Sequence, residues 1–252
     1  MPKHRDISAL DERVRDLSRS GWSLHEPGVV QGLPIHVLGK SAPSAAHDIL
    51  LVGGIHGDEP AGVEAALCWM ETGAADAWPV NWLVIPCANP WGWTRDQREG
   101  STGHDLNRSF NLSTCCGEVD TIRNALDGRH FGFSMDFHED CDAAGYYLCE
   151  IKNRSPFFGE TMARAAGEVI PIWDVPRLDG RKASFPGGIR RVIPTATALR
   201  RRRLWPLEFH LMHRHTRHTF CSETPTSLPM ERRVHAHHAA LRTALEMFFN
   251  QP

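Results

Sequence analysis

The sequence predicts an α/β fold, a single domain with a mixed central β-sheet flanked by helices. Three observations carry this. Short apolar runs of strand length alternate with stretches whose apolar residues recur at helical spacing. At 252 residues the chain is long enough to bury one sizeable core. No internal repeat and no linker divides it, so the domain is expected to run over 1–252.

In chain order, residues 7–19 read as a helix with Leu10, Val14 and Leu17 on one stripe. A short strand around Ile35–Leu38 follows a glycine-rich turn, and 48–53 is a continuous apolar run typical of a buried strand. A helix is expected from Pro60, with Val63, Leu67 and Met70 on its inner face, and a strand over 81–86. Residues 91–116 read as long and irregular, a length that in compact domains points to function or disorder. A short helix carries Val119, Ile122 and Leu126, and a strand over 131–137 ends at His138. Tyr146–Cys149 is a further strand, 156–168 a helix, and 169–173 an extended segment that Pro171 assigns to a sheet edge. Residues 178–204 are the least regular part. His218–Ser222 reads as a strand running into Glu223. The final helix presents Val234, His238, Leu241, Leu245 and Phe248 on one face, with Thr226 or Ser227 as its cap and Pro229 in its first turn.

Composition narrows the function classes. A net charge of -2 argues against general nucleic-acid binding, and the longest apolar runs are too short to cross a bilayer. The polar start Met1–Asp6 leads into an amphipathic helix and does not resemble a signal-peptide core, so a cytoplasmic location is expected. The Asn-x-Ser sites at Asn107, Asn111 and Asn153 are then accidental. Seven cysteines, an odd number without regular spacing, fit a reducing compartment; Cys115 and Cys116 do not readily bridge each other, and no C-x-x-C zinc site is present.

The chemistry is expected around His56-Gly57-Asp58-Glu59, between the strand at 48–53 and the helix at Pro60. A strand end running into a helix start is a common place for an active site. An imidazole and a carboxylate three residues apart can converge on one cation, and zinc favours such nitrogen and oxygen donors. Taken alone, the same spacing also arises where an acid simply complements a helix dipole. Three further pieces add weight. They are His138 at a strand end in Met135–Asp140, the loop from Asn89-Pro90-Trp91-Gly92 through Arg98 to Asp105-Leu106-Asn107-Arg108, and Glu223 within Ser222–Pro225.

In this order, H-G-D-E, N-P-W-G, D-L-N-R and S-E-T-P resemble the zinc carboxypeptidase superfamily of the carboxypeptidase A type, which includes the succinylglutamate desuccinylase and aspartoacylase deacylases. The resemblance spans roughly 48–225 and implies a carboxypeptidase-like α/β sandwich holding one zinc ion, although other divalent ions can occupy such sites. It implies His56, Glu59 and His138 as the metal ligands, with Asp105 accepting from the ring of His56. Asn107 and Arg108 would hold a substrate carboxylate, Arg98 (with Arg95 competing) would stabilise the oxyanion, and Glu223 would be the general base. The digestive members are longer, and no match is assigned for their pocket-closing tyrosine; Tyr146 and Tyr147 are the two tyrosines available, at least one expected in the core. The deacylases often add a C-terminal β domain, and this chain ends soon after its last helix, which tilts the expectation toward a peptidase-like domain.

Other polar clusters have plainer readings. Glu139 and Asp140 are expected to be loop residues beside His138. His210, His213, His215 and His218, read as a strand, match no known ligand spacing, and His235, His237 and His238 fall on the last helix. The run Arg200–Arg203 reads as a solvated loop, from which an arginine, or else Arg190 or Arg191, could reach the pocket and select an acidic group. The expected activity is therefore a zinc metallocarboxypeptidase cleaving an amide beside a free carboxylate in a small peptide. An N-acyl amino acid deacylase is the alternative and a non-catalytic binding module the third reading. No nucleic-acid or membrane partner is expected.

Overall fold

The computed structural model describes residues 5–111, 116–192, 197 and 201–250. The outermost residues 1–4, together with Cys115 and Arg200, lie outside the described residues.

The elements run α1 (Ile7–Arg19), β1 (Ser23–Val30), β2 (Leu33–Lys40), β3 (Asp48–Gly53), α2 (Pro60–Glu71), β4 (Asn81–Ile85), α3 (Pro90–Arg95) and α4 (Gly117–Leu126). They continue with β5 (Phe133–Asp140), β6 (Tyr147–Lys152), α5 (Gly159–Gly167), β7 (Arg177–Leu178), β8 (Arg181–Lys182), β9 (Gly188–Arg191), α6 (Leu207–Arg214), β10 (His218–Pro225) and α7 (Met230–Phe249). Eight strands form one mixed sheet in the order β1-β2-β4-β3-β5-β10-β6-β9, and β7 pairs with β8 in a small separate hairpin.

At the centre, β4, β3, β5 and β10 are mutually parallel. Strand β3 is apolar on both faces because both are covered. Ile49 and Leu51 join one core with residues of α1, α2, α5 and α7, while Leu50 and Val52 join a second with residues of α4 and α6. The same alternation splits β5, whose Phe133, Met135 and Phe137 enter the first core. Ser134, Asp136 and His138 therefore point to the second face, along with Thr219, Cys221 and Glu223 of the neighbouring β10. Period-two geometry thus collects the polar chemistry on one side of the sheet.

Two close approaches shape the ends of these strands. A side chain at Gly62 would place its Cβ 2.3 Å from the carbonyl oxygen of Phe137, and one at Gly57 would lie 2.0 Å from the Gly92 carbonyl carbon. Helix α2 can therefore sit directly on β5, and the His56–Glu59 loop on α3, only because both positions lack a Cβ.

Several expectations need correcting. Strand β1 pairs antiparallel with β2 at a sheet edge, although its exposed residues carried no apolar alternation. Among the described residues of 91–116, the segment begins within α3 and includes a 3-10 turn at Leu106–Arg108. The segment 169–173 is no strand; it contributes a single bridge between Tyr146 and Ile172, and the edge beside β6 is taken by β9, within the stretch read as irregular. His210 and His213 lie on helix α6 rather than on a strand. The N-cap of α7 is Pro229, without a side-chain bond, not Thr226 or Ser227. Glu139 and Asp140 belong to β5 rather than to a loop. No helix among the described residues is long and apolar enough to cross a membrane.

The buried histidines are structural groups with partners. His237 bonds Ser222 and Thr224, His218 bonds Glu150, and the His210 and His215 rings meet at 3.3 Å. Burial drives His237 and His210 down to about 3 and His238 to about 4, so all three are held neutral.

Candidate metal and active site

The loop after β3 and the end of β5 leave the sheet at the point where the strand order departs in opposite directions, toward β4 on one side and β10 on the other. A crevice outside the carboxyl ends of parallel strands is where open α/β sheets place their ligands. Here it is a cavity of about 540 Å³. His56, Glu59, Arg98, Asn107, Arg108, His138 and Glu223 all line it.

At its floor, His56, Glu59 and His138 are buried, with donor atoms within 4.8 Å of one another. Both Nδ1 atoms turn to the same carboxylate, His56 at 2.6 Å from Glu59 Oε1 and His138 at 2.8 Å from Oε2. Each ring is backed on its other nitrogen by a second carboxylate. Asp105 lies 3.2 Å from His56 Nε2, and Asp136 lies 2.9 Å from His138 Nε2. Such backing fixes the tautomer that leaves Nδ1 as a metal donor.

The electrostatics are those of a buried, mutually ionised group. Burial opposes charge on Glu59, but His56 and His138 overcome it and hold the carboxyl far below the ordinary range. Burial also works against His56 and His138, yet the carboxylates around them raise both imidazoles. Asp105 resists burial in the same way through His56 and Arg98. Two imidazole nitrogens and one carboxylate are a donor set suited to a zinc-type divalent cation, and these three residues fit it.

Arg98 donates to Asp105 and Glu59, both at 3.2 Å, and borders the cavity. Arg95 does not line it; its guanidinium stacks on Trp91 at 4.4 Å. Asn107 accepts the Leu207 amide through Oδ1 at 2.7 Å, which leaves its amide nitrogen as the donor end. Arg108 is exposed, donates to the Asn107 carbonyl, and has no carboxylate partner among the described residues. Glu223 faces His138 in the β10–β5 register and takes a hydrogen bond from the Cys221 thiol at 3.4 Å. Burial pushes its carboxyl up to about 8, against the pull of His138.

Some contributors went unassigned in the sequence reading. Asp136 is two residues before His138, and on a strand that spacing puts both side chains on one face; D-x-H was the available signal. Glu139 is buried at the N-terminus of α2, accepting from the Ala61 amide and from Arg233. Tyr146 is in the core, bonded to Ser222, while Tyr147 lines the cavity and donates to Asp140 at 2.8 Å. From the arginine-rich stretch, Arg191 and Arg202 reach the cavity wall, whereas Arg190 turns to Glu160.

If Asp136 orients His138 as described, Asp136→Asn should weaken metal retention by about 10- to 100-fold with the fold intact. Competition with a zinc chelator measures this directly.

Comparison with known proteins agrees with this geometry. The model of the succinylglutamate desuccinylase/aspartoacylase catalytic domain matches residues 45–172. No curated protein matches in sequence. Among solved structures, a Shewanella amazonensis protein provisionally named a metallopeptidase is similar at a TM-score of 0.79 and 23% identity, over 96% of this chain and 93% of that one. A Shewanella denitrificans protein of the same provisional name gives 0.77 at 23% identity, over 94% and 88%. A metallo-carboxypeptidase from Burkholderia cenocepacia gives 0.68 at 17% identity, over 98% of this chain and 70% of that one.

Proposed function

Because the chain belongs to the succinylglutamate desuccinylase/aspartoacylase catalytic-domain family, we propose that it is a zinc-dependent amide hydrolase acting as a metallocarboxypeptidase on small peptides. The observation that carries this is the arrangement of Glu223. It stands beside His138 on the next strand, in a cavity that also exposes the donor end of Asn107 and Arg108, which has no carboxylate partner among the described residues. A base, a metal-type donor set and a carboxylate clamp therefore share one space.

His56, Glu59 and His138 would hold the ion. When bound, zinc supplies Lewis acidity toward the scissile carbonyl and makes water more acidic. The remaining work belongs to side chains. Asn107 and Arg108 take the substrate's free carboxylate, the planar guanidinium offering two parallel hydrogen bonds. This fixes the amide relative to Glu223 without touching the bond that breaks. Glu223 accepts a proton from water and returns one to the departing amine; a carboxyl raised toward neutrality suits both steps. Arg98 offers N–H groups toward the oxygen on which negative charge grows.

A cavity of about 540 Å³ lies within the size range of sites that enclose small organic ligands, which supports a short peptide. The second reading, an N-acyl amino acid deacylase, is favoured by the family match itself. The two differ in the acyl side of the scissile amide, a peptide in the first reading and a simple acyl group in the second.

Mass spectrometry of products from zinc-loaded protein separates them. The panel holds short peptides with free C-termini, muropeptide fragments, and N-acetyl and N-succinyl amino acids. Release of the C-terminal residue from the peptides is the expected result. Cleavage of the N-acyl amino acids but of none of the peptides, giving the acyl acid and the free amino acid in equal amounts, would transfer the protein to the second reading, and no turnover of any member would contradict both.

A further inference from the structure

We propose that Arg5 is a positioning residue for the metal site, holding the loop that carries His56 and Glu59 in the shape that lets both reach one ion. The proposal rests on the metal reading above and extends it to a residue outside the cavity.

The loop has a weak point. Gly57 follows His56 directly and is buried against α3, where a Cβ would lie 2.3 Å from the Trp93 amide nitrogen. The position therefore takes glycine, and glycine leaves the backbone between the two ligands with more rotational freedom than any other residue. His56 Nδ1 lies 2.6 Å from Glu59 Oε1, a convergence that depends on the course of the backbone between them. Something outside the loop must fix that course.

Arg5 does so from just ahead of α1. Its Nη1 donates to the Gly57 carbonyl at 2.7 Å and to the Trp93 carbonyl at 3.0 Å. Nη2 forms an ion pair with Asp96, the residue that caps the end of α3. The backbone amide of Arg5 adds a bond to the Thr94 carbonyl at 3.3 Å. One planar group thus joins the metal loop to α3, and the carboxylate of Asp96 sets the orientation of the fork. The bond to Gly57 comes from a charged donor and reaches a buried residue, so it is stronger than a neutral bond and costly to leave unmade. The chain that leaves α3 runs on to Arg98, which itself bonds Glu59 and Asp105. The stretch that anchors the loop through Arg5 therefore also touches the ligand Glu59.

The test is zinc affinity measured by chelator competition, with the visible absorption of the cobalt(II)-loaded protein as a reporter of ligand geometry. Arg5→Met should bind zinc at least about tenfold more weakly than the wild type, the scale seen when groups that orient metal ligands are removed. Its cobalt bands should change with it. Arg5→Lys should recover part of the loss, since one ammonium lacks the fork that holds Gly57 and Asp96 together. Arg13→Met is the control. Arg13 fastens α1 to Glu64 and Glu71 of α2, outside the loop, so its loss should lower the melting temperature and leave zinc affinity and the cobalt spectrum unchanged. Wild-type affinity and spectrum in Arg5→Met would overturn the proposal. So would an equal loss of zinc affinity in Arg13→Met, which would make Arg5 one more fastening of α1. Wild-type protein that bound neither ion would overturn the metal reading itself, a result distinct from these two. No substrate enters the measurement, so it stands apart from the outcome of the peptide panel.

Discussion

Glu223→Gln is expected to lower kcat by about 100- to 10,000-fold, with KM and metal content close to wild type. The amide keeps the shape of the carboxyl and can still accept the Cys221 thiol, so β10 and its pairing with β5 are undisturbed. What is lost is the ability to take a proton from water and return it to the amine. Glu223 donates nothing to the His56, Glu59 and His138 group, so zinc should stay bound at full stoichiometry. Steady-state kinetics on whichever substrate the panel identifies, with metal analysis of the same sample, check both halves. A variant with unchanged kcat would remove Glu223 from the chemistry, and one that lost its zinc would make Glu223 part of the metal site.

His138→Ala should have the larger effect. It removes one of three donors, so zinc retention should fall by more than the 10- to 100-fold expected when only the backing Asp136 is altered. Activity should fall to background. Stability should also drop, by about 3–5 kcal/mol, because Glu59 and Asp136 both lose their imidazole partner while remaining buried. Urea unfolding and zinc stoichiometry on the purified variant measure the two consequences separately. Full zinc occupancy in His138→Ala would show that the donor set is misassigned.

The central strands and their helices were legible because burial on both faces leaves an unmistakable apolar run, as at β3, and because α1 repeats Leu10, Val14 and Leu17 at helical spacing. The edges were not. Strand β1 is largely exposed and β9 has only four residues, so neither needs the apolar alternation by which strands are recognised. The histidines on α6 look like a strand only if Leu207 and Leu211, four apart on one helical face, are left out of the pattern. All eight residues singled out for the site meet around one cavity, Asp105 through its bonds to His56 and Arg98. They were accessible because they stand in ordered motifs around strand ends. Asp136 was overlooked although D-x-H on a strand implies it.

Crystals of the zinc-loaded protein, with diffraction data collected on either side of the zinc absorption edge, test the central claim most directly. A single anomalous peak bonded to His56 Nδ1, Glu59 and His138 Nδ1, about 2.0–2.2 Å from each, is the result expected here. No peak at that position, or zinc held only elsewhere, as at the Asp140, Cys141 and Asp142 group, would contradict it.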